Sequence, residues 1–168
     1  MHYLSFALLN NMVNLETEKL LDDTGWQILS ILQEDARIPF KELGRRVGRS
    51  PPAVAERVRR MEDAGIITGY RAELGLEKLG LPMTVFIRIN SEGDKCALIG
   101  PFVKKLPEVL ECYRVTGSAC FIMKVVVSSI SHLETLMDRL VLYGTLTTSI
   151  VLSAPVKGRI IEQKATSP

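Results

Sequence analysis

The residues most able to do chemistry in this sequence are the basic side chains between Arg37 and Arg60. This stretch holds eight arginine or lysine residues against two acidic ones, Glu42 and Glu56. Guanidinium and ammonium groups bind phosphate oxygens, and arginine can also hydrogen-bond to base edges. The net charge of the whole chain is only +2, so the basic character is local. The cluster therefore predicts a contact with nucleic acid, unless it is the solvated face of an ordinary helical hairpin.

Two short helices joined by a tight turn would position these side chains. The first is predicted over residues 40–47 by an apolar face of helical spacing, made of Phe40, Leu43, Gly44 and Val47. Gly48 would end it in a left-handed conformation, and Ser50 and Pro51 are favourable residues for starting a second helix that continues to about Ala64. The inner face of this second helix would be Val54, Val58 and Met61. A helix-turn-helix of this kind places its second helix in the major groove of DNA.

The candidate DNA contacts fall into three groups. The groove would be faced by Ser50, Pro52, Ala53, Arg57 and Arg60. Phosphates would be contacted by Lys41, Arg45, Arg46, Arg49 and Arg59. Arg59 is also placed to pair with Glu62 or Asp63 of its own helix. Residues 66–74 are interpreted as two short strands turning near Gly69, a small wing from which Arg71 could reach the DNA backbone.

The chain is expected to divide into five segments. These are an extension (1–20), a winged helix-turn-helix domain (21–74), a linker (75–82), a second domain (83–153) and a tail (154–168). Two glycines and a proline mark the linker. The apolar run from Tyr3 to Leu9 is too short to span a membrane and lacks the flanks of a signal peptide. We interpret it as an extension, or as translation from a start upstream of Met12, and we expect a cytoplasmic protein without a membrane partner.

The second domain shows the order strand, helix, strand, strand, helix, strand. Alternation of apolar and polar residues from Met83 to Asn90 predicts its first, half-buried strand. This order matches a ferredoxin-like βαββαβ fold, with two helices on one face of a four-stranded antiparallel sheet. The predicted fold class is thus α+β. The other face would carry Phe86, Ile122 and Val126, and such a face is usually covered by a partner, most simply a second copy of the chain.

Metal and cofactor chemistry have little support. The three cysteines, Cys96, Cys112 and Cys120, form no CxxC pair, and their odd number argues against a disulfide framework. The histidines are His2 and His132, which are too few for a typical histidine cluster. We therefore expect no cofactor, no metal site and no catalytic residues.

Four stretches of the sequence resemble the Lrp/AsnC family of transcriptional regulators. They are LDDTGWQILSILQEDARIPFKELGRRVGRSP, RVRRMEDAGIITGY, LPEVLECYRVTG and YGTLTTSIVLS, which together span residues 21–153. The resemblance implies a winged helix-turn-helix followed by a ferredoxin-like domain that senses amino acids or related metabolites. It also implies dimers that assemble into tetramers or octamers.

The resemblance further implies an effector site between dimers. On this chain the site would comprise Thr116, Gly117, Ser118, Ala119 and Cys120 in a turn, and Thr145, Thr147, Thr148 and Ser149 on the last strand. Many members read G-D-x-D in the turn, whereas this chain has Ser118 and Cys120 at the acidic positions. A cysteine cannot hold an ammonium group electrostatically, although backbone N–H groups of the turn could bind a carboxylate. The ligand would then lack an amino group, or the site would be vestigial.

The leading hypothesis is a sequence-specific DNA-binding regulator modulated by an amino acid or related metabolite. One alternative is an architectural protein that wraps DNA without an effector. Another is an enzyme, because some tetrapyrrole decarboxylases resemble this architecture. Such an enzyme would use His132, Arg88 or Arg114 in the second domain, and we expect no enzymatic activity.

Overall fold

The computed structural model describes residues 17–91 and 95–166, and the chain folds as two compact units. The first unit extends to Ala72 and also includes the chain from Val156 onward, whereas the second comprises Glu73–Pro155. Most of the predicted extension, residues 1–20, lies outside the described residues. No helix among the described residues is long and apolar enough to cross a membrane.

The first unit contains the helices α1 (Asp23–Glu34), α2 (Phe40–Val47) and α3 (Pro51–Asp63), and residues 17–20 before them are also helical. The predicted bounds of α2 are confirmed, and α3 begins where predicted. Gly48 adopts φ 65° at the end of α2, a left-handed conformation that costs glycine little. Ser50 caps α3 by accepting a hydrogen bond from the Ala53 N–H at 3.4 Å. Local sequence signals are therefore sufficient to place the turn between α2 and α3.

The core of the first unit lies between the three helices. The predicted inner face of α3 is confirmed, and the buried side chains are Leu20, Ile28, Leu32, Ile38, Leu43, Val47, Val54, Val58 and Met61. Phe40 was predicted on the buried face but is 44% exposed. It is the first residue of α2, and helical side chains tilt toward the N-terminus, beyond the packed turns. The segment after Val156 contacts this unit through Ile161. The Ile161 N–H donates to the side-chain oxygen of Gln33 at 2.8 Å, and the side-chain nitrogen of Gln33 donates to the Ile161 carbonyl at 3.1 Å.

The predicted wing is wrong, because residues 64–75 contain no strand. The N–H groups of Ile66 and Ile67 both donate to the Met61 carbonyl, at 2.9 and 3.1 Å. Their side chains pack against the helical core. The N–H groups of this isoleucine pair therefore close the end of α3, while the side chains cover the helical core. The same N–H groups are then unavailable to pair with a second strand in a hairpin.

The second unit has the predicted ferredoxin-like fold. Its elements are β1 (Met83–Asn90), α4 (Lys95–Val103), β2 (Val109–Arg114), β3 (Phe121–Val127), α5 (Ile130–Leu140) and β4 (Thr145–Ile150). The sheet order is β2-β3-β1-β4, and all neighbours are antiparallel. A 3-10 turn, Leu76–Leu79, lies within the segment predicted as a linker.

The two faces of the sheet differ in their covering. On one face, α4 and α5 complete a core of Val85, Ile87, Ile89, Ile99, Val103, Leu106, Met123, Val125, Val127, Leu133, Leu136 and Leu140. On the other face, Phe86 and Tyr113 are 41% and 56% exposed. Ile122 is half-buried there and Val126 is buried. The register places Tyr113 opposite Ile122, so aromatic and aliphatic side chains adjoin on this face.

Candidate nucleic-acid interface and ligand pocket

The start of α3 presents small side chains to solvent. Ser50, Pro52 and Ala53 are all exposed, so the backbone there can approach another surface closely. Arg60 is also exposed and lies seven residues after Ala53, hence on the same helix face. Lys41 on α2, Arg49 in the turn before α3 and Arg71 in the segment after α3 are also exposed.

A close backbone approach holds the turn in front of α3. The Arg49 N–H donates to the Gly44 carbonyl at 2.9 Å. A Cβ on Gly44 would lie 2.6 Å from the Arg49 carbonyl oxygen, closer than real Cβ atoms come to backbone. The absence of a side chain at Gly44 therefore allows α2 to approach the start of α3. The sequence predicted Gly44 on the apolar face of α2 but did not indicate this close backbone approach.

Arg45 and Arg46 share one carboxylate on α2. Arg45 donates to Glu42 through Nε at 2.8 Å and Nη2 at 2.7 Å, and Arg46 donates through Nε at 3.0 Å. The hydrogen bonds from Arg45 and then Arg46 lower the pKa of Glu42 to about 2. Both guanidinium groups stay largely exposed, so they are oriented by Glu42 and still accessible to a phosphate.

Replacing Glu42 with glutamine is expected to raise the affinity for DNA of any sequence several-fold at low salt. The substitution removes the charge that competes with phosphate for Arg45 and Arg46, and one further phosphate contact steepens the salt dependence of log K by about 1. Fluorescence anisotropy with a labelled duplex across salt concentrations measures both effects. Glu134→Gln, an exposed change on α5, is the matched control. Unchanged affinity and slope would place this arginine pair away from the DNA.

Arg59 is engaged with carboxylates of its own helix. It donates to Glu56 through Nε and Nη2, at 3.0 and 2.7 Å, and to Asp63 through Nη1 at 2.7 Å. The predicted pairing with Asp63 is confirmed. Glu62 instead accepts from the Tyr70 hydroxyl at 2.8 Å, and burial together with this contact raises the pKa of Tyr70 to about 12. A phosphate contact by Arg59 would require it to leave two acidic partners.

Arg57 points into the first unit, not toward solvent. Its Nη2 donates to the carbonyls of Lys19 and Leu20 at 3.0 and 3.3 Å and pairs with Asp22 at 2.5 Å. Asp22 caps α1 by accepting from the Gly25 N–H at 2.8 Å. That backbone hydrogen bond, and then Arg57, lower the pKa of Asp22. Arg57 thus joins α3 to the start of α1, and its predicted position in the groove has no support in these contacts.

The second unit contains an open pocket of about 810 Å³ near the end of β1 and the start of β4. It is lined by Asn90, Ser91, Lys95, Met137, Asp138, Val141, Tyr143, Gly144, Thr145 and Leu146. The Tyr143 ring stacks on Phe102 with centroids 4.5 Å apart. The pocket therefore combines an apolar wall with one basic and one acidic side chain. The sequence did not indicate Lys95 and Asp138, because only the packing of α4 and α5 on the sheet brings them to the same pocket.

The predicted turn and Thr145 lie at one end of the sheet, whereas Thr147, Thr148 and Ser149 continue along β4 away from that end. The turn containing Thr116, Gly117, Ser118, Ala119 and Cys120 connects β2 to β3, and the Cys120 N–H donates to the Ile89 carbonyl at 2.9 Å. On β4, the register puts Thr145, Thr147 and Ser149 on the open face, whereas Thr148 lies opposite Ile87 on the helix-covered face. Thr145 lines the pocket, and the structure does not gather the remaining predicted residues around it.

His132 takes part in a contact between α5 and the start of β2. Its Nδ1 accepts from the Ser128 N–H at 3.3 Å, and its Nε2 lies 3.5 Å from Glu108. Arg139 also donates to Glu108 at 3.0 Å. Burial of Glu108 opposes ionisation, but its own N–H, His132 and Arg139 outweigh burial and lower its pKa. These contacts connect α5 to the start of β2.

Within residues 17–91 and 95–166, no group of three or more metal-ligating side chains is present.

Comparisons with known proteins match both units. A family model described as the AsnC-type helix-turn-helix domain matches residues 21–62, and one described as the Lrp/AsnC ligand binding domain matches residues 84–161. The two matches together cover more than half of the chain, in the order of its two folded units.

Individual relatives agree with the family models. The chain is 43% identical over 134 residues to the uncharacterized HTH-type transcriptional regulator YezC of Bacillus subtilis, covering 80% of this chain and 95% of that protein. It matches the structure of B. subtilis LrpC with a TM-score of 0.76 and 32% identity, over 80% of this chain and 96% of that one. A Neisseria meningitidis transcriptional regulator solved as a complex with L-Met matches with a TM-score of 0.77 and 31% identity, over 84% and 96%. The chain belongs to the Lrp/AsnC family of DNA-binding transcriptional regulators.

Proposed function

We propose that α3 enters the major groove and that this regulator recognises a specific DNA sequence there. The exposed small residues at the start of α3, with Arg49 before them and Arg60 on the same face, carry the proposal. Small side chains allow close approach to base edges, while flanking arginines supply hydrogen bonds to bases and phosphates. We assign Arg60 to the bases and Arg49 to the phosphate backbone.

These roles predict different effects of two substitutions. Arg60→Ala is expected to weaken binding to the protein's own upstream DNA by roughly tenfold or more and to bring it closer to binding of a scrambled duplex. Arg49→Ala is expected to weaken both duplexes equally and to reduce the salt slope by about 1. Anisotropy titrations over a range of salt concentrations measure affinity and slope. Lys104→Ala, an exposed change in the second unit, should alter neither.

Several outcomes would contradict this proposal. Equal affinity of the wild-type protein for the upstream and scrambled duplexes would favour an architectural DNA-binding protein. If Arg60→Ala and Arg49→Ala both bind DNA as wild type does, the DNA interface does not lie at α3. The decarboxylase alternative predicts an absorption change when a tetrapyrrole substrate is added, and we expect none.

The same proposal includes a homodimer formed through the open face of the sheet. Tyr113 lies opposite Ile122 there, and Phe86 is exposed on the same face. Two-fold pairing through this face would present two α3 helices to a palindromic site. Phe86→Glu should shift the protein toward monomer in sedimentation velocity and weaken binding to a two-half-site duplex. Tyr113→Ser should act in the same direction. Intact dimers in both variants would contradict this interface.

An amino acid bound in the pocket of the second unit is the proposed effector. Lys95 can attract a carboxylate and Asp138 an ammonium group, while Met137, Val141 and Tyr143 line the space available to an apolar side chain. The L-Met complex of the Neisseria regulator supports a ligand of this size. Calorimetry with single L-amino acids should detect binding that Asp138→Asn weakens at least tenfold. If Asp138→Asn binds as tightly as wild type and Ser118→Asp changes binding, the turn over residues 116–120 is the site instead.

A further inference from the structure

The chain that follows β4 returns to the first unit and lies against α1. We call residues 156–166 the clasp; they belong to the first unit, although the family model of the ligand-binding domain extends to residue 161. The Ile161 N–H donates to Oε1 of Gln33 at 2.8 Å, and Nε2 of Gln33 donates to the Ile161 carbonyl at 3.1 Å. One side-chain amide on α1 therefore pairs with both backbone groups of a residue 128 positions away.

Trp26 of α1 lies beside the clasp. Trp26 and Ile161 both line an apolar groove of about 440 Å³, which Ile66 and Tyr70 also line. The same two residues line a second groove of about 430 Å³, between other residues of α1 and residues 162–164 of the clasp. Trp26 is half-buried, and it is the one tryptophan of the sequence. Its fluorescence therefore reports whether the clasp is in place.

The charges of α1 and of the clasp are complementary. Residues 22–35 contain four carboxylates and no lysine or arginine, whereas residues 156–166 contain three basic residues and one acidic residue. Attraction between exposed charges of this kind favours docking and is weakened by salt. Ile161 nevertheless remains 60% exposed, so the clasp buries little apolar surface. The contact is therefore small enough to form and break reversibly.

The clasp leaves the proposed DNA-contacting face of α3 uncovered. Of the residues predicted to contact DNA, Arg71 lines the first groove, whereas Arg49 and Arg60 are not among the described residues that line either groove. The clasp therefore does not compete with DNA for α3. It does give the first unit a second covalent connection to the rest of the chain, since the chain passes between the units after Ala72 and again before Val156.

We propose that the docked clasp is a positioning element that presents α3 to DNA. A domain held by one flexible connection has to be ordered when it binds, whereas a second connection removes part of that cost in advance. In the proposed homodimer both α3 helices must reach their half-sites together, so the benefit applies to a duplex with two half-sites. This consequence rests on the proposed function, whereas docking of the clasp beside Trp26 does not.

Fluorescence of Trp26 tests the docking without DNA or amino acid. Gln33→Ala removes both hydrogen bonds to Ile161, and a chain that ends at Pro155 removes the clasp. In both variants we expect Trp26 emission to move to longer wavelength and acrylamide to quench it more efficiently, because Trp26 loses part of its cover. Glu34→Ala is the matched control, since Glu34 is exposed, follows Gln33 on α1 and lines neither groove. It should behave as wild type does.

Anisotropy titrations of the same variants test the positioning role. The duplexes are the protein's own upstream DNA with two half-sites and a shorter duplex with one of them. We expect Gln33→Ala and the shortened chain to lose roughly tenfold in affinity for the two-site duplex, with affinity for the one-site duplex unchanged. A merely structural clasp would not separate the two duplexes. Circular dichroism at the titration temperature shows that each variant is folded.

Two results would overturn the proposal. If Trp26 emission and quenching are the same in wild type, Gln33→Ala and the shortened chain, the clasp does not dock on α1. If Trp26 responds but affinity for the two-site duplex stays at the wild-type value, or falls equally for both duplexes, the clasp does not position α3. Equal wild-type affinity for upstream and scrambled DNA would instead contradict the proposed function, and the fluorescence result would still decide whether the clasp docks.

Discussion

Replacing Gly44 with alanine is expected to destabilise the first unit and to reduce DNA binding. Alanine favours a helix interior over glycine by roughly 1 kcal/mol. Against this gain, the new Cβ would meet the Arg49 carbonyl oxygen at 2.6 Å and the Pro51 nitrogen at 3.4 Å, both backbone atoms. Overpacking of this kind costs about 1–3 kcal/mol, so the clash should outweigh the propensity gain. Widening the turn would also move the start of α3 away from the position that contacts DNA.

Thermal unfolding and DNA anisotropy measure the two effects of this substitution. We expect a Tm several degrees lower and a DNA affinity reduced by roughly tenfold or more even at temperatures where the variant is folded. Gly100→Ala is the matched control, since a Cβ on this α4 residue would meet nothing within 4 Å. It should leave stability equal or slightly higher and DNA affinity unchanged. If Gly44→Ala behaves like Gly100→Ala, the turn has more freedom than its contacts indicate.

Replacing Arg57 with alanine is expected to cost about 1.5–3 kcal/mol of stability, the range for hydrogen bonds to a charged group. Its guanidinium joins α3 to the carbonyls of Lys19 and Leu20 and to the α1 cap Asp22. The side chain is only 24% exposed, whereas Asp22 is 53% exposed, which screens that part of the interaction. Urea unfolding of the variant measures the loss. We expect the apparent DNA affinity to fall mainly because a larger fraction of the variant is unfolded. The folded fraction should keep the preference for the specific sequence.

Arg59→Ala is the matched control for Arg57. Arg59 is 59% exposed, and its partners Glu56 and Asp63 lie on the same helix, so solvent screening leaves these pairs with little effect on stability. The pKa of Asp22 is lowered in the folded chain, so its stabilising contribution is present above its ordinary pKa and lost as pH falls through the lowered value. The difference in the free energy of unfolding between wild type and Arg57→Ala should therefore become smaller at acidic pH. If Arg57→Ala instead leaves stability unchanged and abolishes the sequence preference, Arg57 contacts the DNA groove.

Local patterns along the chain were sufficient for most of the fold. The bounds of α2 and of β1, the Ser50 cap, Gly48 and the inner face of α3 were all predicted. Each depends on residues within about one or two helical turns of one another, or on strict alternation, so sequence order alone contains the information. The order of strands and helices likewise predicted the ferredoxin-like sheet, because few topologies satisfy it.

The partners of individual side chains were decided only when distant segments packed together. Ile66 and Ile67 look like a strand locally, yet their N–H groups end α3. Arg57 has the spacing of a groove-facing residue, but the chain before α1 supplies its acceptors from more than thirty residues away. The same holds for Lys95 and Asp138, which line one pocket. Periodicity places a residue on a face of its own element, whereas the partner that meets that face depends on the tertiary fold.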